Sequence, residues 1–254
     1  ATITSSPAGE PPDLTTLDLQ PADALLMLAT HVSRHRTLTE WMDASIVDEL
    51  DPFNRNPELD LYNPDGPVQA PYTEEFVARY RAAQEARNRR ITAWVKEQLA
   101  DLKRAGKEHT ERAFVVHGTM ADPRWLDPAI DPNDRRPGWC YLGDPAIVNM
   151  SPVGLARFCT LRGWLSQWSI DDAHADAVSC GPDIDVPTLV VGNSADDACT
   201  PSHTNRIYGA IGAADKHLVT IKGATHYYGG PSQRPQLGEA VDTITGWLAD
   251  RNLT

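Results

Sequence analysis

The stretch VPTLVVGNSADDACTP, residues 186–201, decides the fold, together with its sequel KHLVTIKGATHYYGG, residues 216–230. Each opens on a short apolar run with β-branched residues and then breaks into small, polar and turn-forming ones. Such runs suit buried strands. Between them, Pro201 to Ile211 reads as a helix opened by Thr200 or Ser202, with proline in its first turn. Pro235 to Arg251 closes the sequence as an amphipathic helix with Leu237, Ala240, Val241, Ile244, Trp247 and Leu248 on one face. Strand, helix, strand, helix at this spacing predicts parallel strands joined by right-handed crossovers, hence an α/β sheet.

In open α/β sheets, functional groups gather in the loops beyond the carboxyl ends of the strands. The first such loop, NSADDACTP, offers Asp196 or Asp197, and the second, ATHYYGG, offers His226. Neighbouring parallel strands set these loops side by side. A carboxylate that accepts a hydrogen bond from one imidazole nitrogen selects the tautomer. The other nitrogen is then able to take a proton from a nucleophile. Tyr227 and Tyr228 read as packing residues.

These two segments resemble the last two active-site strands of the α/β-hydrolase superfamily. There the acid lies about four residues before a proline that leads into a helix, and the histidine follows a G-x-x-H turn. The resemblance implies Asp197 as the orienting acid, with Asp196 second, and His226 as the general base. The likeness covers residues 186–250 and reaches more faintly to Ala22–Thr30 (ADALLMLAT), a run that suits a strand buried on both faces or a helical segment. His31, at its end, is a candidate to reach the site.

Residues 34–185 match no named pattern and are expected to form a large, mainly helical cap, leaving 1–33 and 186–254 as the hydrolase core. Within the cap, residues 73–105 predict a long helix: Thr73 caps it, Glu74 and Glu75 favour its first turn, and Gly106 stops it. Residues 111–117 predict a strand. Val153–Trp168 predicts a second helix, with Trp164 and Trp168 four apart on one side. Trp164 and Trp168, with Trp94 and Phe158, are expected to line an apolar substrate pocket.

A nucleophile elbow, G-x-S-x-G or a relative, is not found in these 254 residues. GNSAD at 192–196 follows a strand, but no acid-bearing strand fits between Ser194 and His226. SPVG at 151–154 and SCGPD at 179–183 lack a flanking strand and glycines. The chain order Ser, acid, His therefore places the nucleophile upstream of Ala1. It is expected, with the oxyanion hole, on a second polypeptide, either a cleaved N-terminal piece or a separate subunit. The reading is a hydrolase subunit that supplies base and acid for ester hydrolysis of a small acyl substrate. Two alternatives stand: an epoxide- or haloalkane-type hydrolase with an Asp nucleophile, and a non-catalytic interaction subunit.

The formal net charge of −12, with no basic stripe, argues against nucleic acid. Hydrophobic residues make up 41% and charged ones 23%, and no apolar run approaches a membrane span, so neither a membrane nor a signal peptide is expected and a cytoplasmic location is. Cys140, Cys159, Cys180 and Cys199 are widely spaced and lack zinc-binding spacing, so reduced thiols are expected, with a disulfide such as Cys159–Cys180 as the alternative. DDAHAD, around His174, reads as a solvated loop. No cofactor or metal is expected.

Overall fold

The computed structural model describes residues 2–152, 154–155 and 157–253. In chain order the strands are β1 (Leu25–Leu28), β2 (Ala113–Val115), β3 (Phe158–Thr160), β4 (Thr188–Asn193) and β5 (Lys216–Ile221). The helices are α1 (Arg34–Glu40), α2 (Glu74–Arg104), α3 (Pro123–Leu126), α4 (Pro145–Met150), α5 (Leu161–Gln167), α6 (Ala177–Cys180), α7 (Pro201–Ala210) and α8 (Arg234–Ala249). They fall into two compact units. An α/β unit holds Leu19–Ser33, Pro128–Tyr141 and the residues from Ala175 on; a helix-rich unit holds the residues up to Asp18, Arg34–Asp127 and Leu142–His174. No helix among the described residues is long and apolar enough to cross a membrane.

The α/β unit is built on a parallel three-stranded sheet of order β1-β4-β5. β1 runs beside β4 with Leu25 opposite Thr188, and β4 runs beside β5 with Thr188 opposite Lys216. Every residue of β4 is buried, as a central strand covered on both faces requires. Its alternation divides the core. Leu189 and Val191 join Ile221, Ala240 and Trp247 under α8, while Val190 joins Val32, Ile207 and Ile211 under α7. Each such side chain contributes roughly 1.5–3 kcal/mol by leaving water. Gly192 faces α7; a Cβ there would meet Thr204 Cγ2 at 3.1 Å.

The expected boundary between core and cap is corrected at three places. Residues 128–141 belong with the α/β unit because they brace the loop after β4: Asp134 N donates to Ser194 O at 2.7 Å. Residues 175–185 also belong there, since Ala177 N donates to Val32 O at 2.7 Å and Ala177 and Val178 pack with Ile207. The residues up to Asp18 belong with the helix-rich unit, where Glu10 pairs with Arg162 at 2.7 Å.

In the helix-rich unit, α2 begins as its sequence dictates. Thr73 Oγ1 accepts from Phe76 N at 3.2 Å, acids fill the first turn, Lys103 and Arg104 fill the last, and Gly106 follows at φ +66°. Ile91 and Val95 of α2 pack against Leu38 of α1 and Leu161, Trp164 and Leu165 of α5. The single helix expected over Val153–Trp168 is not formed. Val153 lies outside the described residues; Phe158–Thr160 forms β3, antiparallel to β2, and the helix starts only at Leu161. Thr160 explains the break, for its Oγ1 accepts from Gly163 N at 3.1 Å and so caps a helix beginning one residue later. The backbone before it is satisfied by β2 instead.

Candidate active site

The site lies at the carboxyl ends of the three parallel strands. After β4 the chain turns through Ser194–Thr200 into α7, whose first turn carries Pro201. After β5 it turns at Gly223 (φ +71°) and again at Tyr228 (φ 51°) and Gly230 (φ 87°). The loop between is pinned from several directions. Thr225 N donates to Gln233 Oε1 at 2.8 Å, Asn193 Nδ2 donates to Thr225 O at 2.9 Å, and Tyr228 Oη donates to Asn193 Oδ1 at 2.7 Å. His226 is thereby held at a fixed place over the end of β4.

His226 Nδ1 lies 2.9 Å from Asp196 Oδ2, and the Asp196 side chain is fully buried. The other oxygen of Asp196 accepts from the backbone amides of Ala198 (2.8 Å) and Cys199 (2.7 Å). The acid expected to orient the imidazole, Asp197, is therefore corrected to Asp196. Counting back four residues from Pro201 reaches Asp197, but the turn into α7 directs Asp196 inward, where two amides and one imidazole meet its carboxylate. Burial and the neighbouring charge of Asp196 push the Asp197 carboxyl up to about 7, against the lowering influence of His226 and Arg135. Asp197 thus holds its proton to a higher pH than an ordinary carboxyl does.

His31, just past β1, does come to this place. Its ring centroid is 5.6 Å from that of His226, and its Nδ1 is 3.2 Å from Cys199 Sγ. Tyr227 meets the His226 ring edge-on at 4.5 Å, and Tyr141 lies 6.0 Å from it and 5.6 Å from Tyr227. Cys199 and Tyr141 were not among the expected site residues. Cys199 had a legible signal, since it stands between the acid and Pro201 in the loop itself. Tyr141 had none: it arrives from the 128–141 segment, whose link to the acid loop (Asn133 Nδ2 to Asp196 O, 2.6 Å) joins residues distant in the chain.

Ser194 is occupied structurally. Its hydroxyl donates to Asp134 Oδ2 at 2.6 Å and accepts from Gly223 N at 2.7 Å. The tryptophans expected to line a substrate pocket are corrected to core residues. Trp164 and Trp168 stack at 5.1 Å inside the helix-rich unit, 0% and 2% exposed, and Trp164 Nε1 donates to Thr92 Oγ1 at 2.8 Å. Amphipathic packing of α5 on α2 took them inward. Trp94 instead borders a cavity of about 760 Å³ in that unit, with Phe114, Val115 and Leu50. The four cysteines are free thiols.

No protein-family model and no curated protein matches the chain. Among solved structures it is similar to a protein assigned as a non-heme bromoperoxidase, BpoC, from Mycobacterium tuberculosis H37Rv, at 24% identity and a TM-score of 0.26. That likeness covers 35% of this chain and 30% of the other, so the chain spans less than a third of its neighbour's length. What the fold and site together define is a mixed α/β protein with a three-stranded parallel sheet and a buried carboxylate–imidazole pair at its carboxyl edge.

Proposed function

We propose that the chain is part of an α/β-hydrolase and supplies its general base and orienting acid. His226 takes the proton of an attacking hydroxyl through Nε2, the nitrogen that Asp196 does not hold. Asp196 selects the tautomer and stabilises the imidazolium as it forms. The attacking serine and the oxyanion hole come from a second polypeptide, which adds strands beyond β1, and the substrate is a small ester. His226 passes that proton to the departing alcohol, then takes one from water as it attacks the acyl-enzyme, and returns it to the serine as the carboxylic acid leaves. Tyr141 and Tyr227 pack beside the reacting imidazole.

The observation that carries this reading is the 2.9 Å contact between His226 Nδ1 and a carboxylate that is itself fixed by two backbone amides. A supporting observation is that, among the described residues, no strand pairs with the outer edge of β1. The test is to purify the native complex and expose it to a fluorophosphonate probe. Labelling of a co-purifying chain, with ester turnover lost in His226→Ala while assembly persists, supports the reading. Turnover that survives His226→Ala, or a complete absence of labelling and turnover, overturns it.

A further inference from the structure

We propose that His31, Cys199 and His226 form a binding site for a zinc ion. Each of three adjacent parallel strands delivers one of these residues at its carboxyl end: His31 past β1, Cys199 past β4 and His226 past β5. One ligand atom from each lies within 4.8 Å of the others. Cys199 Sγ and His31 Nδ1 are 3.2 Å apart, and the two imidazole rings are 5.6 Å apart between centroids. Zinc bonds of roughly 2.0–2.3 Å in a tetrahedron set ligand atoms about 3.5 Å from one another. Small side-chain rotations bring this cluster to that spacing.

The donor set selects the metal. Two imidazoles and one thiolate favour zinc over magnesium or calcium, which prefer oxygen ligands. Three protein ligands leave a fourth position for water. Behind His226 stands Asp196 on Nδ1, the arrangement in which a carboxylate orients a metal-bound imidazole through its other nitrogen. His203 supports from outside: its ring meets His31 edge-on at 5.5 Å, and its Nδ1 accepts from Val32 N at 3.2 Å. On binding, the Cys199 thiol gives its proton to solvent and gives up its 3.0 Å contact with Ala29 O. The bond gained is sulfur to zinc, and no electron changes hands.

Zinc on His226 Nε2 occupies the nitrogen that a general base needs, so metal loading and base function exclude one another. Binding itself does not depend on the hydrolase reading and is measured without turnover. The test is a cobalt(II) titration of the full chain, followed by displacement with zinc. The expected result is a one-to-one complex with tetrahedral visible bands and a near-ultraviolet thiolate-to-cobalt charge-transfer band. Cys199→Ser abolishes that band, and His31→Gln weakens zinc binding at least tenfold, with circular dichroism confirming that both variants are folded. The proposal fails if the native chain shows no charge-transfer band. It also fails if Cys199→Ser retains the band, or if zinc affinity is the same in the native chain and in both variants.

Discussion

The imidazole of His226 and the carboxylate of Asp196 meet at 2.9 Å across two loops that follow adjacent parallel strands. Asp196 makes this contact with one oxygen while two backbone amides hold the other. The carboxylate therefore cannot rotate away without leaving buried amides unpaired, at a cost of about 1–3 kcal/mol for each. Asp197, next in the chain, is placed differently, and the two acids are separable by experiment.

Asp196→Asn is expected to lower ester turnover by roughly three to four orders of magnitude, because the amide stabilises the wrong imidazole tautomer. Asp197→Asn is expected to change it less than about tenfold, under about 1.4 kcal/mol of barrier, since the 2.9 Å contact that orients the imidazole is made by Asp196. Nitrogen-15 NMR of His226 provides the parallel readout, with the Nδ1–H tautomer dominant in the native chain and lost in Asp196→Asn only. Equal effects of the two substitutions contradict the assignment.

Asp197 makes stability depend on pH. Its folded value, about 7, lies above the ordinary 3.8. The folded state therefore keeps a proton that the unfolded state releases, so this residue's contribution to stability is greatest below about pH 4 and falls as pH rises toward 7. The slope from this residue is at most about 1.4 kcal/mol per pH step, and it flattens above neutrality. Urea titrations at several pH values are expected to show it as a difference, with the native chain losing stability relative to Asp197→Asn as pH rises from about 4 to about 7.

In the helix-rich unit, Arg87 is buried among acceptors. Its Nη2 lies 2.7 Å from Glu49, and its other donors reach Asp43 O, Gly118 O and His117 O. Arg87→Ala removes the hydrogen bonds to His117 O, Gly118 O and Asp43 O and one of the two arginines on Glu49, which keeps Arg90 at 2.8 Å, and is expected to cost about 1–3 kcal/mol. Arg79→Ala, at an exposed pair with Glu58, is expected to cost under about 1 kcal/mol. Denaturant midpoints of the two variants are the comparison.

Gly118 has φ +57°, and a Cβ there would stand 2.7 Å from both Asp43 Cβ and Ile46 Cδ1. Gly118→Ala is expected to destabilise by more than about 1 kcal/mol, from backbone strain and the clash together. Gly9→Ala also has a positive φ but open space around it, so the difference between the two isolates the steric part.

Cys180 is exposed, while Cys140, Cys159 and Cys199 are buried. Burial pushes the Cys159 thiol up to about 12, which keeps it protonated and unreactive. A thiol titration of the native chain near pH 8 is expected to show one fast-reacting cysteine, removed by Cys180→Ser, with the others appearing on unfolding.

Local sequence determined the elements whose side chains decide their own fate. Short apolar runs with β-branched residues marked β4 and β5, and Thr73, its acids and Gly106 set the ends of α2. His226 stood out because an acid-bearing loop after one parallel strand and a glycine turn after the next frame it, where a lone histidine after a strand is usually a surface or packing residue. The choice of Asp196 over Asp197 was not legible, since both lie in one turn and only the path of that turn decides which carboxylate meets the imidazole. The same holds for Trp164 and Trp168: a helix face shows that they are apolar, and the packing of α5 on α2 shows that they are buried rather than lining a pocket. β3 and the bracing segment at 128–141 needed tertiary structure too. Their hydrogen bonds join residues far apart in the chain, and no local pattern encodes such a partner.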